Sequence, residues 1–319
     1  MKGRIIVSTL LALLLLVSMP MSALAATWDI SKGDITVNAE SGGQTVRQGG
    51  GAAVPDSAPV ITGTSKENNV TINADSGQTA SVTLSGVNID VRDKGKAAVS
   101  TTGEGNVSIE LNGGSTLRSG YEHAGLEKNN GGSLTIADED KNGKLTAWGG
   151  QQGAGIGGGV YGKGEGITVS GNAQLKVRGG SVHGDYGTGA GIGGGGSYGT
   201  NGAEVEPDIC ALKPGGKIEY YEPGSGMTGT PSKTITNPTG DYVWDSGTVT
   251  TPATCTGKGV RTYTCTSSSH TRTEDIPALN HSFAGQAYVS DNNATCEQDG
   301  TKTVKCVPTA QAAVRQQTR

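Results

Sequence analysis

The sequence predicts an all-β protein: a solenoid of short stacked strands followed by small disulfide-linked β-hairpin repeats. Three observations predict it. Glycine supplies 54 of 319 residues, aromatics only 4%, and there is a single phenylalanine. Bulky side chains therefore cannot fill one large core, and a thin core must be built many times over. Short segments place Val, Ile or Leu at every second position, which marks a strand with one buried face. Two kinds of matched element recur, a glycine-rich heptapeptide in the middle and a cysteine-bounded segment near the end, as repeat architectures require. The absence of a G-x-y period excludes collagen. Charged residues make up 17% and the net charge is −4. That balance fits neither charge-driven disorder nor a nucleic-acid binder, since no basic run is available to neutralise phosphates.

The first residues address the chain to a compartment. Lys2 and Arg4 are followed by an apolar run from Ile5 to Val17, then Pro20 and Ala23-Leu24-Ala25. This order is that of a secretory signal peptide over residues 1–25, with cleavage expected after Ala25 and a mature charge of −6. An uncleaved membrane anchor is the alternative, but the run is short for a span and no stop-transfer pattern follows. The expectation is a secreted, extracellular protein associated with the cell surface, with no transmembrane segment after cleavage.

Residues 26–206 read as the solenoid. DITVN (Asp34–Asn38), NVTIN (Asn69–Asn73), SVTLSGVNIDV (Ser81–Val91), NVSIEL (Asn106–Leu111), SLTI (Ser133–Ile136), ITVS (Ile167–Ser170) and QLKVR (Gln174–Arg178) all alternate. The apolar pairs Val70/Ile72, Val87/Ile89, Val107/Ile109, Leu134/Ile136 and Ile167/Val169 recur at steps of 17, 20, 27 and 33 residues. GAGIGGG occurs at Gly153–Gly159 and again at Gly189–Gly195, 36 residues later, within a stretch (149–202) holding 23 glycines. Ile156 and Ile192 occupy the same place in the two copies. Each is expected to be the one apolar residue its coil points inward, with small neighbours letting coils stack closely. A flexible Gly-rich linker would not need the same isoleucine twice.

Residues 28–206 resemble the Gly-rich right-handed parallel β-helix domains of surface proteins from clostridia and related gut bacteria. These are akin to the carbohydrate-binding family described for a pectin-binding cellulosomal β-helix. The stretches that carry the resemblance are WDISKGDITV (Trp28–Val37), VTLSGVNIDV (Val82–Val91), Gly105–Asp138 and the two AGIGGG elements. The resemblance implies an all-β, right-handed parallel β-helix and a carbohydrate-binding or adhesin-like role. It hands over no site residues, because its motifs are architectural.

The composition shifts near Glu204–Pro207. Residues 207–252 read as a capping or linker segment, in which KIEYY (Lys217–Tyr221) is a strand or docks on the solenoid end. Residues 253–319 hold two copies of a short repeat, ATCTGKGVRTYTC (Ala253–Cys265) and ATCEQDGTKTVKC (Ala294–Cys306), offset by 41, the second incomplete. Gly259 and Gly300 near the midpoints suit hairpin turns, which would face the cysteines across the strands as Cys255–Cys265 and Cys296–Cys306. Cys210 is left over, as a small buried hydrophobe or a free thiol. Zinc is the rival, with His270 and His281 near Cys265, but neither copy has C-x-x-C. This part resembles short Cys-containing repeats of secreted surface proteins, which implies spacers or interaction modules. The first copy continues through EDIPALNHSF (Glu274–Phe283) whereas the second stops at Arg319. A fragment and an unanchored secreted protein are both open.

Candidate chemistry is sparse. No Asp-Asp pair or G-H-G element of a polygalacturonase type is present, and the nearest lyase-like group is Asp90 and Asp93 with Arg92. No catalytic residues are assigned. Asp138, Asp140 and Asn142 match the first half of a calcium loop, whose twelfth position is Gly149 rather than Glu. Calcium is thus a candidate ligand, a turn the plainer reading, and no other cofactor is implied. Sugar binding asks for aromatic platforms and polar groups that read hydroxyls. Trp148, Tyr161, Arg178, His183, Tyr186 and Tyr198 lie beside the Gly-rich elements and are the candidate carbohydrate-binding residues, with Tyr121, Glu122 and His123 in another loop. Arg118, Lys176 and Arg178 would pair with carboxylates if the glycan is acidic. The expected function is a non-catalytic carbohydrate-binding or adhesin-like surface protein. Its alternatives are a pectin-type lyase or hydrolase on the same fold and a purely structural stalk.

Overall fold

A computed structural model describes residues 25–237, 244–254, 256–265, 271–279, 281–282, 289–293, 295–298, 302–303 and 307–308. Residues 1–24, nearly all of the expected signal peptide 1–25, lie outside the described residues. The chain enters through β1 (Thr27–Asp29) and one 3-10 turn (Ile30–Lys32). The first coil carries β2 (Ile35–Glu40), β3 (Gly43–Gln48), β4 (Val54–Pro55), β5 (Val60–Thr62) and β6 (Thr64–Ser65). The second has β7 (Val70–Ala74), β8 (Thr79–Ser85) and β9 (Asn88–Asp90). The third has β10 (Val99–Thr102), β11 (Asn106–Asn112) and β12 (Gly114–Arg118). The fourth has β13 (Leu126–Lys128), β14 (Leu134–Ala137) and β15 (Lys144–Trp148), and the fifth β16 (Ile156–Gly157), β17 (Ile167–Val169) and β18 (Gln174–Arg178). β19 (Ile192–Gly193) and β20 (Lys217–Tyr221) belong to a last, looser coil, closed by β21 (Lys233–Thr236).

Each of the first five coils gives one strand to each of three sheets of parallel strands, and the last coil adds β19 to the first and β20 to the third. The first face runs β2-β7-β10-β13-β16-β19, the second β1-β5-β8-β11-β14-β17 and the third β6-β9-β12-β15-β18-β20. The protein is therefore a parallel β-solenoid. Ile35, Val70, Val99, Leu126, Ile156 and Ile192 stack in register on the first face, and all are buried. Ile156 lies directly against Ile192, so the two glycine-rich copies are neighbouring rungs. On the second face Val107, Leu134 and Ile167 form one inward column. The pairs Val70/Ile72 and Val87/Ile89 sit instead on the first and third faces. The 17- and 20-residue steps thus measure passage from face to face, and only the longer ones measure a full coil.

Open sheet edges invite further pairing and are usually covered. Here β3 folds antiparallel on β2 at the N-terminal edge of the first face, with β4 beyond it. At the other end KIEYY adds to the third face as β20, parallel to β18, and β21 closes it antiparallel.

β22 (Thr248–Thr251), β23 (Gly259–Thr264) and β24 (Thr271–Ile276) form a separate antiparallel sheet. β25 (His281–Ser282) pairs with β28 (Val307–Pro308), and β26 (Val289–Ser290) with β27 (Lys302–Thr303). The pairs Val289↔Thr303 and Ser290↔Lys302 are Thr248↔Thr262 and Val249↔Arg261 displaced by 41 residues. The sequence offset is thus also an offset in strand register.

The cysteine pairing differs from expectation. Cys265 is bonded to Cys210, 55 residues earlier, with Cα atoms 5.9 Å apart. The hairpin does not turn at Lys258-Gly259. Gly259 already opens β23, and the turn lies earlier, closed by the Thr254 N–H on the Gly257 carbonyl at 2.9 Å. The whole of β23, about 20 Å at ~3.3 Å per residue, then separates that turn from Cys265. A Cys255–Cys265 bond needs Cα atoms within about 7 Å and is not made; Cys255 itself lies outside the described residues. Cys296 is free and exposed, so the Cys296–Cys306 bond is not made either; Cys306 and His270 are outside the described residues. Cys210, left over in sequence, is the tether between the solenoid cap and the hairpin sheet.

Candidate functional site

The third-face strands end on residues that stack in register, the last of them, Tyr221, buried. Asp90, Arg118, Trp148, Arg178 and Tyr221 are consecutive register partners. Adjacent strands are about 4.8 Å apart, within the roughly 6 Å of a ring centroid at which a guanidinium is attracted to an aromatic face. The Arg118 guanidinium is 4.2 Å and the Arg178 guanidinium 4.8 Å from the Trp148 ring centroid, on the strands either side of it. Two residues earlier along the strands, in the neighbouring outward column, Lys176 lies 5.8 Å from the Tyr221 ring and 3.7 Å from Glu219. Arg92 grips Asp90 with two hydrogen bonds of 2.8 and 2.9 Å, and Arg118 stands 3.7 Å from the same carboxylate. Burial opposes the charge on Asp90, but Arg92 outweighs it and holds the carboxyl below its usual value. Burial, then repulsion from Arg118 and Arg92, lowers the pKa of Arg178.

Beside the ladder the chain turns from the third face to the next coil over almost bare backbone. A Cβ on Gly150 would lie 1.8 Å from the Gly120 carbonyl oxygen, and one on Gly180 1.6 Å from that of Gly150. Only glycine permits this stacking. The bare corner leaves a cleft of about 340 Å³ lined by Arg92, Ser119, Tyr121, Trp148, Gln151 and Arg178, among others. Tyr121 meets His183 edge-on at 5.1 Å, with its hydroxyl 3.4 Å from His183 Nδ1.

The other predicted rings form a second array. Tyr186 lies between Tyr161 and Tyr198, with centroids 6.0 and 5.8 Å away and both contacts edge-to-face. The Tyr161 hydroxyl donates to that of Tyr186 at 3.2 Å, and this hydrogen bond is the main reason the Tyr161 phenol is raised above its usual value. Tyr161 and Tyr198 are 62% and 66% exposed. A shallow groove of about 420 Å³ beside them is lined by Tyr161, Lys163, Glu165, Ser197 and Asn201 among others. Backbone bridges His183↔Tyr186 and Tyr186↔Tyr198 join the arrays. Of the six predicted residues, Trp148, Arg178 and His183 gather around the cleft or its rim, and the three tyrosines lie at the groove. Arg118 completes the ladder. Its signal is present in the sequence, since Arg118, Trp148 and Arg178 are spaced by 30 residues at the ends of three alternating segments.

Asp138 and Asn142 of the half calcium loop are engaged in backbone bonds. Asp138 turns fully inward, where Oδ2 accepts the Gly143 N–H at 2.9 Å, and Asn142 Oδ1 accepts the Gly113 N–H at 3.1 Å. The first closes the local turn, and the second ties that turn to the preceding coil. Among the described residues no three His, Cys, Asp or Glu side chains are grouped to hold a metal. Glu127 is a buried carboxylate that sequence reading missed. It meets His123 Nδ1 at 2.8 Å and accepts from Asn129 at 2.8 Å and the Ala124 N–H at 3.0 Å. No periodic signal marks it, because its burial comes from the next coil's loop near Gly159.

No protein-family model, curated protein or solved structure matches the chain. Among the described residues no helix is long and apolar enough to cross a membrane.

Proposed function

We propose that this protein is a non-catalytic carbohydrate-binding protein, exported and displayed at the cell surface. The observation that carries the reading is the concentration of stacked and exposed rings with polar groups on one side of the solenoid. Trp148 lies between two guanidinium groups at the cleft, and Tyr161 and Tyr198 stand open beside a polar groove. Flat rings offer contact along a sugar face, and amides, hydroxyls and charges orient it. A solenoid presents such groups along a line, which suits an extended polymer. Export is supported by the signal-like start and by a disulfide, which persists in oxidising compartments. The resemblance to clostridial β-helix surface domains points the same way. The non-catalytic assignment rests on the lining: among the described residues no carboxylate lines the cleft, and the neighbouring Asp90 is held by Arg92.

The test is a glycan array probed with the full chain, with and without calcium, followed by titration of the hits. Binding weakened by Trp148→Ala or Tyr161→Ala supports the reading. No binding to any plant, mucin or bacterial glycan overturns it in favour of a stalk. Release of unsaturated or reducing ends from a polysaccharide overturns the non-catalytic assignment.

A further inference from the structure

We propose that the α-ammonium group released when the signal peptide is cut after Ala25 is a structural cation, held by the buried carboxylate of Asp56 at the start of the solenoid. The proposal rests on the export reading and adds to it a consequence of processing.

Asp56 follows β4, on the cap that covers the first face, and is only 2% exposed. Its Oδ1 accepts the Ala58 N–H at 3.1 Å. Its Oδ2 accepts the Trp28 indole N–H at 2.8 Å and the Ala26 backbone N–H at 3.2 Å. Among the described residues no lysine, arginine or histidine lies within ion-pair distance of it. A buried carboxylate ordinarily has a cation beside it, because a charge is costly to take out of water. In the uncut chain all three donors on Asp56 are neutral. The Ala26 nitrogen is the donor that processing turns into a cation.

Hydrolysis by a signal peptidase takes up one water and breaks the C–N bond between Ala25 and Ala26. It leaves a carboxylate on Ala25 and a protonated amine on Ala26. The existing contact then changes from a neutral to a charge-assisted hydrogen bond. Both partners are already positioned. The Ala26 carbonyl accepts the Val60 N–H at 2.9 Å, and Thr27 is the register partner of Val60. The Asp56 N–H donates to the Gln44 carbonyl, and the Asp56 carbonyl accepts from Gln44 Nε2, each at 3.0 Å. Ala25 and Ala26 are exposed, so the signal peptide leaves toward solvent and its loss uncovers no core. The ion pair joins β1, at the edge of the second face, to the β3–β4 cap of the first. A terminus displaced by one residue moves by about 3.8 Å and cannot place its charge there. The bond at which the chain is cut therefore sets the stability of the first coil.

The test compares the full chain, exported from a bacterial host, with a variant carrying one glycine inserted between Ala25 and Ala26. Cleavage of the variant leaves the ammonium one residue upstream and Ala26 with an ordinary amide. Both are also made in the Asp56→Asn background, and intact mass fixes each N-terminus. The exported chain should begin at Ala26. In urea, the insertion should raise the unfolding equilibrium constant about fivefold or more, and should change it little in the Asp56→Asn background. Should Asp56→Asn fail to fold, NMR titration of the α-amine of the exported chain decides. Its pKa should lie above the about 7.7–8.0 of a free α-amino group, because a neighbouring anion favours the ammonium. An insertion without cost, an equal cost in both backgrounds, or an ordinary amine pKa overturns the ion pair and leaves export standing. An exported chain that begins elsewhere than Ala26 does the same. A chain that stays in the cell with its signal peptide attached overturns both.

Discussion

The second and third faces of the solenoid are built on the same rungs and differ in what they turn outward. Inward, both carry aliphatic columns, Val107, Leu134 and Ile167 on one and Leu117, Ala147 and Val177 on the other, all buried. Outward, the second face shows Ser81, Ser108, Thr135 and Thr168 in register, small hydroxyls that touch little. Its corner collects Glu110, Glu139 and Asp140, and burial followed by these like charges raises the Glu110 carboxyl. The third face shows arginine and tryptophan, with cations in excess beside the cleft. Folding needs only the inward columns, so the outward difference is where binding is to be sought.

The shared frame can be broken first. Gly150→Ala places a methyl group 1.8 Å from a backbone oxygen of the neighbouring coil, which no rotamer change relieves. It should cost more than about 3 kcal/mol in urea unfolding and abolish glycan binding as well. A well-folded Gly150→Ala protein would show that the corner is looser than its contacts imply.

The tether comes next. In the chain-entropy account a 55-residue loop gives about 4 kcal/mol. Cys210→Ser should therefore destabilise the hairpin sheet far more than the solenoid and leave third-face binding unchanged. Non-reducing peptide mapping should recover Cys210 joined to Cys265. A Cys255–Cys265 peptide would restore the local pairing that sequence spacing suggests.

These two cases show what sequence can and cannot say here. Alternation is a local property, and every alternating segment quoted above from Asp34 to Arg178 contains or overlaps a strand of the solenoid. The isoleucine of GAGIGGG is legible for the same reason, since the copies are adjacent rungs. Which face a segment joins is not local, so the steps between apolar pairs mix two distances. A disulfide across 55 residues is less local still, and spacing favours the nearest cysteine by default. The site was legible by residue type, because rings are rare in this chain. Its division into a ladder and a tyrosine groove was not, as that depends on which rungs touch. The Asp138 turn imitates a calcium loop because Asp, Asn and Gly serve both purposes.

Glu127 offers a pH-dependent comparison on the first face. Its hydrogen bond to His123 lifts the imidazole above its ordinary 6.5, against burial. Burial alone would raise Glu127, but the bonds from His123 and Asn129 prevail and hold it below its ordinary 4.5. The stabilisation from His123 is complete below pH 6.5 and is lost as pH rises through its folded value. That from Glu127 is present above pH 4.5 and lost as pH falls through its folded value. The pair is thus strongest between those limits. Glu127→Gln should cost about 1–2 kcal/mol near pH 5.5 and less at pH 8, by urea unfolding at both. An equal loss at the two pH values would mean that the charge on His123 plays no part.

The outward columns themselves supply the most direct contrast, with the smallest effect on stability. Trp148→Ala removes the ring that separates Arg118 from Arg178, and glycan affinity should fall about tenfold or more, as loss of a stacking platform with two cation–π contacts implies. On the second face, Ser108→Ala and Thr135→Ala delete only partly exposed hydroxyls. Stability should move by less than about 0.5 kcal/mol, and affinity should not change. If the second-face variants weaken binding as much as Trp148→Ala does, the glycan is read by the hydroxyl rows and not by the ladder. If they alter neither property, the two faces have divided the work, one closing the solenoid and the other meeting the ligand.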